Sequence, residues 1–287
     1  MKKRKNGIFF ILDETNSRCG ITDRLKAAVG LYHISRINGI DFRFIHRAGF
    51  DIRDYLLPNK VDWSAELSDI SRIPWEKEKI RYFPPFRDLP DFRPDKQYIC
   101  RSYIGKNIIE MSGVPDWQRV WREYFWDLFT PSEKVLSAMA DNKLPEHYVV
   151  INARFINALG RFEDADYNAP FPEETQKKII ETVLAKAEEC AGESGVPAIV
   201  YSDSVVFLKA AAEKGFRTCD PQVIGHIMNP EAGELVYLHT FVNFFQIAQA
   251  DKIYSILNPE GIPENSLYKT QYPRYAAVIG DRPFIRI

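Results

Sequence analysis

The chain has no apolar run approaching the roughly twenty residues a helix needs to cross a bilayer, so no transmembrane segment is expected. The basic start Met1-Lys2-Lys3-Arg4-Lys5 is followed by an apolar run, Ile8 to Leu12, that stops at Asp13-Glu14. That run is too short for the apolar part of a signal peptide and reads as a buried strand behind a basic tail. Cysteine is scarce, with Cys19, Cys100, Cys190 and Cys219 scattered outside any CxxC or Cys/His spacing. A reducing, cytoplasmic compartment fits that pattern better than an oxidising one, and a zinc site is not expected. His33, His46, His147, His226 and His239 form no HExxH-like cluster, so neither a metal nor any other cofactor is indicated. Glycines never assemble into GxGxxG, which argues against a dinucleotide enzyme. Neither sign of charge is in excess: 38 basic and 39 acidic residues leave a net charge of −1, which gives no footprint for nucleic acid or an anionic membrane. Internal repeats and low-complexity segments are also missing.

What is present is an α/β pattern long enough for two domains. At 287 residues, 45% hydrophobic and 27% charged, the chain can build two ordinary cores. Gly7 to Leu12 reads as a buried strand. Thr22 is placed to cap a helix carrying Leu25, Val29 and Tyr32, with Asn38-Gly39 as its stop, and Asp41 to His46 alternates as a strand does. One βαβ unit follows, and with it a parallel sheet. Prolines at 58, 74, 84, 85, 90, 94 and 115 make residues 58 to 116 a long irregular excursion with short helices. Trp117 to Leu128 is an aromatic amphipathic helix whose stripe belongs to the core.

Alternation restarts with a strand at Tyr148 to Ala153 and a helix to about Cys190, with Ile179, Ile180, Val183, Leu184 and Ala187 on one face. Strands at Ala198–Tyr201, Phe216–Thr218 and Lys252–Leu257 alternate with helices at Val205–Lys214, Leu235–Ala250 and Tyr272–Ile279, the last ended by Gly280. This is a second Rossmann-like unit. The break at 140 to 146 divides the chain into residues 1–143 and 144–287, and ligands of such sheets bind at the carboxyl ends of the strands.

Four segments carry candidate chemistry. Gly20-Ile21-Thr22-Asp23-Arg24-Leu25 lies at a strand-to-helix turn, where free N–H groups and Arg24 suit an anion; the residues alone favour a plain cap, with Asp23 complementing the helix dipole. Asn152-Ala153-Arg154 ends a strand and is followed by Asn157, Arg161, Glu163, Asp164 and Asp166. Arginine there matches phosphate oxygens with a fixed fork of donors, or pairs with the nearby acids. Ser202-Asp203-Ser204 either caps the next helix or accepts from a base or ribose. Residues 258 to 272, ending at Gln271-Tyr272, lead into a helix N-terminus that is a natural seat for phosphate.

In their order these segments resemble the fucosyltransferase superfamily of nodulation, α-1,6- and protein O-fucosyltransferases. Gly20 to Leu25 resembles that family's Gly-x-Gly-Asp-Arg-Leu stretch, with Thr22 in place of the second glycine. Asn152 to Asn157 sits where the family has His-x-Arg-x-x-Asp, with asparagine at both ends. Tyr201 to Ser204 resembles a strand-ending Thr/Ser-Asp element. Residues 242–251, then Arg274 to Ala277 and Gly280, resemble the C-terminal helix-strand-helix pattern, with Tyr272-Pro273 where serines are usual.

The resemblance implies a GT-B fold, two Rossmann-like domains facing a central cleft, with the nucleotide sugar held mainly by the second. It implies metal-independent, inverting transfer of fucose from GDP-fucose to a saccharide acceptor met by the first domain. Arg154 would bind the diphosphate and Glu163 would be the base, with Asp164 and Asp166 as alternatives. Gly20, Asp23, Arg24, Asn152, Asn157, Arg161, Asp203, Ser204 and Tyr272 would contact substrate. The two asparagine replacements also fit a relative that binds nucleotide or glycan without turnover.

Overall fold

The computed structural model describes residues 5–13, 19–80, 90–101, 105–160, 169–227, 232–257 and 259–287. The chain divides into two compact units, Met1–Lys134 and Val135–Ile287. The first runs β1 (Gly7–Leu12), α1 (Ile21–Ile37), β2 (Phe42–His46), β3 (Leu56–Pro58), β4 (Lys77–Ile80), β5 (Gln97–Cys100), α2 (Ile108–Met111), α3 (Trp117–Leu128) and β6 (Phe129–Pro131). The division falls inside α4 (Glu133–Asp141), while the polar break read from sequence lies at the end of that helix. The second unit continues β7 (Val149–Ala153), α5 (Glu173–Ser194), β8 (Ala198–Ser202), α6 (Val205–Glu213), β9 (Arg217–Thr218), α7 (Glu234–Gln249), β10 (Lys252–Ile256), α8 (Tyr272–Gly280) and β11 (Phe284–Arg286).

In the first unit a four-stranded parallel sheet has the order β2-β1-β5-β4. All six residues of β1 are buried, as expected of a parallel strand covered on both faces. Two of the four strands arise inside the proline-rich stretch that the sequence presents as irregular. Each is four residues long, too short to show a period, and β5 begins three residues after Pro94. The core here is aromatic: Phe10 stacks on Phe44 at 5.2 Å, and Trp63 meets Phe129 at 5.5 Å while its Nε1 donates to the Leu128 carbonyl at 2.6 Å. From α3, Trp121, Phe125 and Leu128 are buried in this core, with Trp117, Val120 and Tyr124 at its margin.

Helix α1 is buried around nearly its whole circumference, including Thr22, Arg24, Lys26, His33 and Ser35. It lacks the one-sided stripe its sequence suggested because the sheet covers one flank and α2 and α3 the other. Thr22 is not its cap. Gly20 occupies that position without a side-chain hydrogen bond, and Thr22 lies buried in the first turn.

The second unit carries a five-stranded parallel sheet in the order β11-β10-β7-β8-β9. The chain moves outward from β7 through β8 to β9, then returns to β10 on the other side of β7. The strand order therefore reverses between β7 and β10, the place where open α/β sheets take ligands. β11 was not anticipated from sequence, because Pro283 and three residues, with Ile285 exposed between two half-buried neighbours, give no strand signal. Gly280 is the last residue of α8 rather than its stop, and Asp281 turns the chain with φ 54°. A Cβ on Gly280 would lie 1.9 Å from the Ala248 carbonyl oxygen, so glycine there permits α8 to touch the end of α7.

Candidate functional site at the carboxyl edge of the second sheet

Strand β7 ends in Asn152-Ala153 and delivers Arg154 at the reversal point. The turn that follows is fastened by the neighbouring strand. Asp203, just past β8, accepts from the Phe155 amide through Oδ1 at 2.8 Å and from the Ile156 amide through Oδ2 at 2.9 Å. Ile156 holds φ 53°, a left-handed conformation that a β-branched residue adopts only when its surroundings compel it. The Arg154 Nε lies 3.6 Å from Asp203 Oδ2. Its guanidinium carbon is 5.6 Å from the centre of the Tyr268 ring, within cation–π range. The Arg154 carbonyl in turn accepts from the Tyr268 amide at 2.7 Å. Burial pushes the Asp203 carboxyl above the ordinary carboxylate range, opposed by Arg154 and the two amides.

Ser204 caps α6, its hydroxyl accepting from the Phe207 amide at 3.3 Å, which is the helix-capping role the sequence allowed. Asn152 is buried; its Nδ2 donates to the Tyr201 carbonyl at 3.4 Å, and its Oδ1 has no hydrogen-bond partner among the described residues. Asn157 is also buried. Tyr272 starts α8, but its hydroxyl donates to the Thr240 carbonyl and its ring packs 5.3 Å from Phe244, so the side chain belongs to the interior. Burial raises its phenol well above the usual range. The first turn of α8 offers few donors, because Pro273 has no N–H and the Tyr272 amide is taken by Thr270 Oγ1 at 3.2 Å. Arg161, Glu163, Asp164 and Asp166 lie outside the described residues.

Gly20, Asp23 and Arg24, beside the first sheet, have a different setting. Arg24 is 1% exposed. Its Nε donates to the Cys19 carbonyl at 3.1 Å, and one terminal nitrogen donates to His46 Nε2 at 2.8 Å and the Ala48 carbonyl at 3.1 Å. His46 Nδ1 faces the Phe50 carbonyl at 3.1 Å, so the ring is neutral with its proton on Nδ1. Burial first and Arg24 second lower its pKa to about 3. Asp23 pairs with Lys26 at 2.6 Å, and Lys26 also donates to the Gly105 carbonyl. Gly20 has open space where a side chain would be.

A search of protein-family models found no match to this sequence, nor did a search of curated proteins. Among solved structures, the chain superposes on a NodZ alpha-1,6-fucosyltransferase, whose crystal was soaked with GDP-fucose. The TM-score is 0.56 at 11% identity, over 96% of this chain and 93% of that one. The fold is fucosyltransferase-like. Within it, the strand-ending arginine and the strand-ending aspartate of the second unit fall on adjacent strands and touch. Tyr268 completes that contact and escaped sequence reasoning, since nothing marks a loop tyrosine twelve residues past a strand as the neighbour of an arginine. His46, the last residue of β2, escaped because its contact with Arg24 joins residues far apart in sequence. All four cysteines are buried as free thiols. Among the described residues no His, Cys, Asp and Glu group is arranged to hold a metal ion, and no helix is long and apolar enough to cross a membrane.

Proposed function

We propose that this chain is a cytoplasmic glycosyltransferase that binds a nucleotide sugar through its second unit, GDP-fucose being the donor, and transfers the sugar to a saccharide acceptor with inversion. The observation that supports it most is Arg154. It leaves the central strand at the reversal point of the sheet, on a fold shared with an alpha-1,6-fucosyltransferase, with a guanidinium that remains partly exposed. When a glycosyl–phosphate bond breaks, the leaving nucleoside diphosphate gains negative charge. An arginine fixed beside it stabilises that charge without a metal ion. Deprotonation of the acceptor hydroxyl falls in this reading to Glu163 or one of its acidic neighbours.

A second reading is favoured by Asn152 and Asn157, which are buried where the family pattern places histidine and aspartate. It describes a relative that holds nucleotide or glycan and does not turn it over. A thermal-shift screen against GDP, UDP, ADP, CMP and their sugar conjugates, with and without EDTA, tests donor binding. Stabilisation by GDP or GDP-fucose that survives EDTA is the expected result. Absence of any shift defeats the donor assignment. Release of fucose from GDP-fucose, with or without an acceptor, then separates enzyme from binder.

A further inference from the structure

We infer that Asp203 is a positioning residue for Arg154 and not a reader of the nucleotide's base or ribose; the inference rests on the donor-binding reading above. A carboxylate that reads a base edge or a ribose presents its oxygens to the ligand. Here each oxygen is engaged by a backbone amide of the turn after β7, at 2.8 and 2.9 Å, and the same carboxylate lies 3.6 Å from the Arg154 Nε. The side chain is 11% exposed, so little of it is available to anything else.

The clamp also explains the backbone of Ile156. A β-branched residue at φ 53° is disfavoured, because its Cβ crowds the backbone in the left-handed region. The two hydrogen bonds from the Phe155 and Ile156 amides to the Asp203 carboxyl hold it there. Arg154 immediately precedes the clamped pair, so the direction in which it leaves the sheet is set by the turn. The carboxylate on one strand thus aims the guanidinium on the next, and its contribution to ligand binding passes through Arg154.

Two measurements test this. In the ligand-free protein, amide exchange at Phe155 and Ile156 is expected to quicken at least about tenfold in Asp203→Ala, each amide having lost its only side-chain acceptor. Unchanged protection of these two amides overturns the clamp. In nucleotide titrations, Asp203→Asn is expected to weaken GDP about tenfold or more, to leave GMP nearly unaffected, and to add nothing in an Arg154→Ala background. Equal weakening of GMP and GDP, or a loss additive with Arg154→Ala, makes Asp203 a direct reader and sinks the inference. If the wild-type protein binds no nucleotide, the donor reading fails, and the exchange experiment still decides whether the clamp exists.

Discussion

Each unit places an arginine at the carboxyl edge of a parallel sheet, and the two are held in opposite ways. Arg24 is wholly buried, bonded to two carbonyls and to the neutral imidazole of His46. Arg154 is a quarter exposed, set beside a carboxylate that is itself tied to the backbone. Arginine is always charged, so its surroundings must satisfy it. When that is done by the protein's own carbonyls the residue is a tie across the interior. When a fixed carboxylate lies beside a side chain that reaches the surface, the residue can meet an anion. The sequence motif is similar in kind; the partners decide the role.

The sharpest way to separate the two is pH. His46 has a folded pKa of about 3 against 6.5 for the free side chain, so the unfolded chain takes up a proton first. The stability this ring contributes is complete above about pH 6.5 and is lost as the pH falls toward 3. A shift of that size is worth up to roughly 5 kcal/mol. Asp203 has the reverse sign: its folded pKa is raised, so acid relieves a burial cost. All five tryptophans, Trp63, Trp75, Trp117, Trp121 and Trp126, lie in the first unit. Tryptophan emission is therefore expected to report loss of packing there between pH 6 and 4, and emission that stays native to pH 3 breaks the comparison.

Replacement of Arg24 by Met, which preserves the stem and removes the fork, is expected to cost about 4 kcal/mol in urea unfolding, since it orphans a buried imidazole nitrogen and two carbonyls. Arg154→Ala is expected to leave the protein folded, with a stability change near 1 kcal/mol, and to weaken GDP about a hundredfold by calorimetry, or roughly 2.7 kcal/mol. A variant that binds GDP as the parent does would remove the difference between the two arginines. The smallest effect is at the helix starts. Ser204→Ala is expected to cost about 1 kcal/mol, because its hydroxyl caps α6, whereas α1 begins without any side-chain cap.

The second unit was largely legible in the sequence because its three central strands, β7, β8 and β10, are five residues long and its helices are separated by clear stops. Arg154, Asp203 and Ser204 could be found as strand-ending polar residues by that logic. Lost from view were contacts between segments far apart in sequence: Asp203 with the amides of Phe155 and Ile156, and Tyr268 under Arg154. In the first unit the short β4 and β5 were masked by prolines. Thr22 misled because its side chain suits a cap, yet the buried start of α1 gives that position to a glycine. Tyr272 misled because a residue at a helix start need not face outward; its ring turns into the α7–α8 interior. Gln271 and Pro273 flanking it gave no warning.

The contact at Gly280 has a mechanical consequence. With the backbone of α8 resting against the Ala248 carbonyl, no side chain cushions the joint, so neither helix can slide or roll without lifting away from the other. A rotation of α8 would therefore strain α7 as well, and Tyr268, four residues before α8, sits against the arginine. A single hydrogen atom in place of a methyl group thereby couples the two helices backbone to backbone.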